Sequence, residues 1–182
     1  KKYIIILTIL ASSLLGLEKI GFIADVSGYV EIISKDEKQN IEVRALEGRY
    51  IYENETVTVG IRINLNNGWK SYWKHSGNIG LPTRIKIEEN DNMKSFTILW
   101  PRPEVEESDE GISLIYKNDI VIPISIQLNN INIPTKFKLA AEFGVCKDIC
   151  MPVTKNLYFE LKKPTSSFQK NILNLALDRV PK

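Results

Sequence analysis

Glu55-Thr56-Val57-Thr58-Val59-Gly60-Ile61-Arg62-Ile63-Asn64-Leu65 places apolar side chains at every second position over most of its length. Successive side chains point to opposite faces in a strand, so this period of two predicts a strand with one face on a core and the other toward solvent. The same pattern recurs at 26–33, 41–46, 84–88, 95–100, 119–128, 136–142 and 156–162, with turn residues between the runs. Pro101, Pro103, Pro123 and Pro134 sit where helix interiors could not tolerate them. Residues 25–163 therefore read as one all-β domain, an antiparallel sandwich of immunoglobulin type, with a barrel as the alternative.

The ends of the chain have a different character. Lys1-Lys2 followed by the apolar run from Tyr3 to Leu15 has the basic and hydrophobic regions of a secretory signal, expected to span residues 1–16. The run is too short for a hydrocarbon core of about 30 Å, and Glu18 and Lys19 stop it, so a membrane-spanning helix is the weaker reading. Retention as an uncleaved anchor stays open, because no clean small-x-small cleavage site follows. At 164–182, Ser166 or Ser167 can cap a helix with an apolar stripe of Phe168, Ile172, Leu173, Leu175, Ala176 and Val180. Gln169, Lys170, Asn174 and Asp178 lie opposite. This segment is expected to be an amphipathic helix docked on the sandwich or a linker toward another domain. Its polar face carries too few cations for a membrane-surface helix.

The 182 residues carry 24 Lys and Arg against 22 Asp and Glu, a net charge of +2, with the two signs interspersed. No nucleic-acid face is expected from that balance.

Chemistry concentrates in Glu142-Phe143-Gly144-Val145-Cys146-Lys147-Asp148-Ile149-Cys150-Met151-Pro152, which holds both cysteines of the chain. Cα atoms so close in sequence can fall within the roughly 4.4–6.8 Å that a disulfide needs. A bond closing so short a loop removes little entropy from the unfolded chain, on the order of 2 kcal/mol against about 4–5 for a staple between distant strands. It is a poor clamp, which favours a bond made and broken over one that holds the fold. An inert disulfide in an exported domain is the competing reading. If 136–142 continues through Phe143-Gly144-Val145, Cys146 ends a strand and is the more buried sulfur. Cys150 is then the one that a partner attacks. Lys147 favours a thiolate and Asp148 opposes it, which leaves the sign of the local charge open.

Four further motifs occur in order: Gly68-Trp69-Lys70-Ser71-Tyr72-Trp73, Gly77-Asn78-Ile79-Gly80-Leu81-Pro82-Thr83, Trp100-Pro101-Arg102-Pro103 and Val121-Ile122-Pro123. With Cys146-Lys147-Asp148-Ile149-Cys150-Met151-Pro152, the set resembles the N-terminal, periplasmic domain of the DsbD/ScsB group of protein-disulfide reductases over about residues 42–161. The resemblance implies an immunoglobulin-like sandwich with one reversible pair, Cys146 and Cys150. It implies thioredoxin-like periplasmic partners and a membrane electron-transfer domain as donor, with no cofactor. The larger members' membrane domain and thioredoxin-like C-x-x-C domain have no counterpart in these residues, so the donor is expected in trans or elsewhere in a longer chain. Asn78 stands where relatives often carry an acid, which removes any acidic contribution from that loop.

The remaining candidates have plainer readings. His75, the only histidine, reads as a surface loop residue, since a Cys–His nucleophile also needs an orienting group and an oxyanion site. Cys146, Cys150 and His75, with or without Met151, are soft enough for Cu(I) but too few for structural zinc. A non-enzymatic immunoglobulin-like binding module with a structural disulfide, handling copper through that ligand set, is therefore the alternative function. Trp69, Tyr72, Trp73 and Trp100 read first as core packing, with shielding of the cysteine loop as the second reading. The acidic stretch 104–110 reads as an exposed loop.

Overall fold

The alternating runs pair into two antiparallel sheets. A computed structural model describes residues 23–25, 29–31, 34–36, 41–51, 54–65, 68–88, 90–161 and 167–182. The signal expected at 1–16 lies outside the described residues, as do Ser166 and parts of the strand expected at 26–33. The strands in chain order are β1 (Ile23–Asp25), β2 (Tyr29–Glu31), β3 (Ser34–Asp36), β4 (Ile41–Ile51), β5 (Thr56–Leu65), β6 (Lys70–Gly77) and β7 (Arg84–Ile87). They continue with β8 (Met93–Ile98), β9 (Glu104–Ser108), β10 (Gly111–Lys117), β11 (Asp119–Leu128), β12 (Thr135–Cys146) and β13 (Cys150–Leu161), and helix α1 (Ser167–Leu177) follows.

One large sheet runs β3-β4-β5-β11-β8 and the other β13-β12-β6-β10-β9, with β7 also paired to β12, while β1 and β2 form a separate two-stranded sheet. The result is the expected immunoglobulin-like sandwich. Val57, Val59, Ile61 and Ile63 of β5 and Ile120, Ile122, Ile124 and Ile126 of β11 are all essentially inaccessible. They share one core with Leu139, Ala141, Phe143 and Val145 of β12 and Leu157 and Phe159 of β13. Phe137 and Phe159, paired across β12 and β13, stack with ring centroids 4.7 Å apart. Trp69, Trp73 and Trp100 are partly buried against the same core, which bears out the packing reading for these three.

Pro123 sits inside a central strand, opposite Gly60 of β5. Its carbonyl accepts from Leu99 N at 2.9 Å, just beyond the last β8 partner, Ile98. The nitrogen of a strand residue points to the same side as its carbonyl, so the missing donor falls where the β8 ladder ends and removes no interior ladder bond.

Two stretches differ from expectation. Residues 104–110 are mostly the edge strand β9, paired with β10 from Gly111↔Ser108 to Ile115↔Glu104. Charged side chains on both faces hid it, which is how edge strands discourage pairing with other chains. His75 lies on β6 rather than in a loop, and it is exposed.

Helix α1 docks on the five-stranded sheet through Leu173 and Ala176, 0% and 5% exposed. A Cβ on Gly60 would come within 2.8 Å of Leu173 Cδ2, so the helix approaches β5 where that strand lacks a side chain. Leu175, expected in the stripe, is 67% exposed. At about 100° per residue it points some 200° away from Leu173.

Candidate functional site

The β12–β13 hairpin closes on its two cysteines. Cys146 and Cys150 are the last register pair before the turn, with Cα atoms 4.1 Å apart and the sulfurs bonded. Lys147, Asp148 and Ile149 form the turn and are exposed, and Lys147 N donates to Ile149 O at 3.3 Å. The sulfurs differ in access. Cys146 is 2% exposed, whereas Cys150 is an exposed residue, the arrangement expected if β12 carries Cys146 into the sheet.

Residues opposite one another on antiparallel strands share a face. Cys146 is opposite Lys70, Lys70 is opposite Lys117 and Tyr72 is opposite Ile115, so all five occupy the outer face of this sheet. Tyr72, Ile115 and Cys146 form a small buried cluster of their own, separate from the inter-sheet core. The Tyr72 hydroxyl lies 3.7 Å from Cys150 Sγ. A disulfide sulfur has no proton, so the phenol is the donor.

This cluster is buried on an outer face because the chain between β6 and β7 folds over it. β12 pairs with β7 from Leu139 to Glu142 and with β6 at Val145 and Cys146, leaving a gap at Phe143 and Gly144. There Leu81 O accepts from Gly144 N at 3.4 Å, and a Cβ on Gly144 would come within 2.5 Å of Leu81 Cβ. Gly80, with φ of +102°, rests on the Tyr72 ring: a Cβ there would sit 2.1 Å from Tyr72 Cε1. Only glycine adopts that conformation without strain and also leaves room for the ring. Thr83 closes the excursion, its N donating to Trp73 O at 3.1 Å and its hydroxyl to Tyr72 O. Asn78 joins the excursion to β10 through Asn78 N to Ile112 O at 2.8 Å and Ile112 N to Asn78 Oδ1 at 3.3 Å. Of the aromatic residues singled out from the sequence, Tyr72 is the one brought to the sulfurs.

A charged network borders the site. Lys70 reaches over the strand between to Glu106 of β9, which also meets Lys117 at 3.3 Å. The Lys70 ammonium holds the Glu106 carboxyl below its ordinary range; partial burial opposes this and Lys117 adds to it. Sequence reading missed this network because neither β9 nor β10 was expected. The alternating acids of 104–108 beside the Ile-Ser-Leu-Ile-Tyr run of β10 were the available signal.

His75 lies edge-on to Trp73, ring centroids 5.7 Å apart. Among the described residues, no group of three or more His, Cys, Asp or Glu is arranged to hold a metal ion. No helix among them is long and apolar enough to cross a membrane. Ser71 Oγ and Trp73 Nε1, on the inward face of β6, are buried without a hydrogen-bond partner.

The profile of the family described as "Thiol:disulfide interchange protein DsbD, N-terminal" matches residues 37–162. No curated protein matches in sequence. Among solved structures, the chain is similar to the N-terminal periplasmic domain of ScsB from Proteus mirabilis, with a TM-score of 0.67 at 19% identity, covering 82% of this chain and 57% of that one. The chain thus spans little more than half of that relative, and the likeness shows the fold. The reduced N-terminal domain of DsbD from Neisseria meningitidis matches with a TM-score of 0.42 at 14% identity over 72% of this chain and 90% of that one.

Proposed function

The chain belongs to the DsbD N-terminal family of thiol:disulfide interchange proteins, and on that premise we propose that it is a periplasmic module passing reducing equivalents through a reversible Cys146–Cys150 pair. The observation that carries the reading is the asymmetry within one bonded hairpin: Cys150 is exposed while Cys146 is buried against Tyr72 and Ile115.

The exchange runs in two displacements. A thiolate of a reduced, thioredoxin-like donor attacks Cys150 Sγ, the Cys146–Cys150 bond breaks, and Cys146 leaves as a thiolate that takes up a proton. The donor's second thiolate then attacks its own sulfur in the mixed disulfide, and Cys150 leaves and is protonated. The donor ends as a disulfide and this chain as a dithiol, two electrons having crossed. The reverse sequence, begun by Cys150, reduces an oxidised client. Tyr72, donating toward Cys150, stabilises negative charge there as it develops. A membrane electron-transfer domain acting in trans is the source of electrons in this scheme, and the electrons flow outward to the clients.

Trapping tests the reading. With Cys146→Ser, Cys150 is left free and should accumulate a covalent complex with a thioredoxin-like protein, while Cys150→Ser should give little. Complexes formed only through Cys146 would reverse the order of attack, and none through either cysteine would return the chain to a binding module with a structural disulfide.

A further inference from the structure

Two exposed apolar residues lie near the cysteine proposed to be attacked, one in its turn and one on the segment that crosses its hairpin. Ile149, beside Cys150 in the turn, is 75% exposed, and Leu81 is 40% exposed. Leu81 is held at the sheet by its contact with Gly144, the residue opposite Pro152 and one step along the outer face from the Cys146–Cys150 pair. Its neighbour Gly80 is seated on Tyr72, whose hydroxyl reaches Cys150. Along the hairpin, the excursion that buries Tyr72 therefore places Leu81 on the sheet side of Cys150, and Ile149 precedes Cys150 on the turn side. Nothing in the fold needs Ile149 at the tip, where polar turn residues would serve. The turn's charges, Lys147 and Asp148, are opposite in sign.

We infer that Leu81 and Ile149 form an apolar collar that docks a folded dithiol protein whose own reactive cysteine is set in an uncharged apolar surface, and that the collar gives this chain its preference for protein over small-molecule thiols. The inference rests on the exchange reading above. A mixed disulfide brings the partner sulfur to about 2.05 Å from Cys150, so a partner the size of a protein covers what surrounds that atom. Its apolar contact with Ile149 and Leu81 forms before the sulfur–sulfur bond changes, and it lowers the barrier to attack through area removed from water. A small thiol covers neither residue. The chemistry at sulfur is unchanged: the bond from donor sulfur to Cys150 forms, Cys146 leaves, and the same two electrons move.

The test compares two reductants on the full chain, reduced thioredoxin and dithiothreitol, in wild-type, Ile149→Ser, Leu81→Ser and Tyr158→Ser proteins. Tyr158 is exposed on β13 well away from the turn. The ratio of the thioredoxin rate constant to the dithiothreitol rate constant should fall about tenfold in Ile149→Ser, the magnitude expected for losing burial of one aliphatic side chain. It should fall in Leu81→Ser as well and stay unchanged in Tyr158→Ser. Because the dithiothreitol rate comes from the same protein, general damage to the fold moves both rates and cancels. An unchanged ratio in Ile149→Ser and Leu81→Ser, or a wild-type chain that reacts with dithiothreitol but not with thioredoxin, overturns the collar. A wild-type chain that reacts with neither overturns the exchange reading and the collar with it.

Discussion

The hydroxyl of Tyr72 lies 3.7 Å from Sγ of Cys150, although the two residues are 78 apart in sequence. This relationship exists because β6 and β12 pair at Ser71 and Val145, which sets Tyr72 beside the hairpin that carries the disulfide. The phenol can donate to the sulfur in either redox state and does so more strongly when the sulfur is anionic.

Tyr72→Phe keeps the ring that fills the cluster with Ile115 and Cys146 and removes only the donor. A hydrogen bond of this kind contributes about 1 kcal/mol. Because it favours the reduced form, its loss should make the pair harder to reduce by about 20 mV. Titration of the variant against a dithiol buffer, with thiols counted by alkylation and mass, checks both the sign and the size.

Gly80→Ala should damage the fold and the site together. The new Cβ meets Tyr72 Cε1 at 2.1 Å in a residue whose φ is +102°, and strain of this kind costs about 1–3 kcal/mol before the collision is counted. The urea midpoint should drop. The displaced ring should also lose its contact with Cys150 Sγ, so the pair should become harder to reduce, as in Tyr72→Phe. A variant as stable as wild type would show that the Gly80 contact does not set the position of this segment.

The Glu106 network gives the stability a pH signature. The folded-state carboxyl is held below its ordinary range, first by Lys70. Such a group contributes stability that is present above the unfolded pKa, about 4.3, and lost as pH falls through the lower folded value. Glu106→Gln should therefore be less stable than wild type at pH 7, with the difference shrinking below about pH 4 and vanishing at lower pH. Urea unfolding of both proteins across that range is the measurement. A difference that persists into strong acid would assign the effect to packing.

How much of this was legible in the sequence depended on which sheet faces are covered. Strand β11 (Asp119–Leu128) coincides with the run read at 119–128, and β5 begins one residue inside the run at 55–65, because each carries a clear inward apolar face. Strand β6 (Lys70–Gly77), by contrast, shows no clear run of period two. Ser71, Tyr72 and Ile115 are all buried, and with residues buried on both faces of β6 and β10 the alternation disappears. Strand β9 was hidden for the opposite reason, polar residues on both faces at an edge. The cysteine pair and its unequal access followed from local spacing and strand continuation. The Tyr72 contact and the Leu81 position required knowing where the chain between β6 and β7 crosses β12, which no local pattern encodes.

The most direct measurement is the equilibrium potential of the Cys146–Cys150 pair, obtained by incubating the full chain in graded dithiol buffers and counting alkylated thiols by mass. A short hairpin bond with one exposed sulfur, used for exchange, should titrate above the roughly −300 mV characteristic of inert structural bridges. A pair that stays oxidised well below that potential would contradict the exchange function and make the bond a fixed part of the fold.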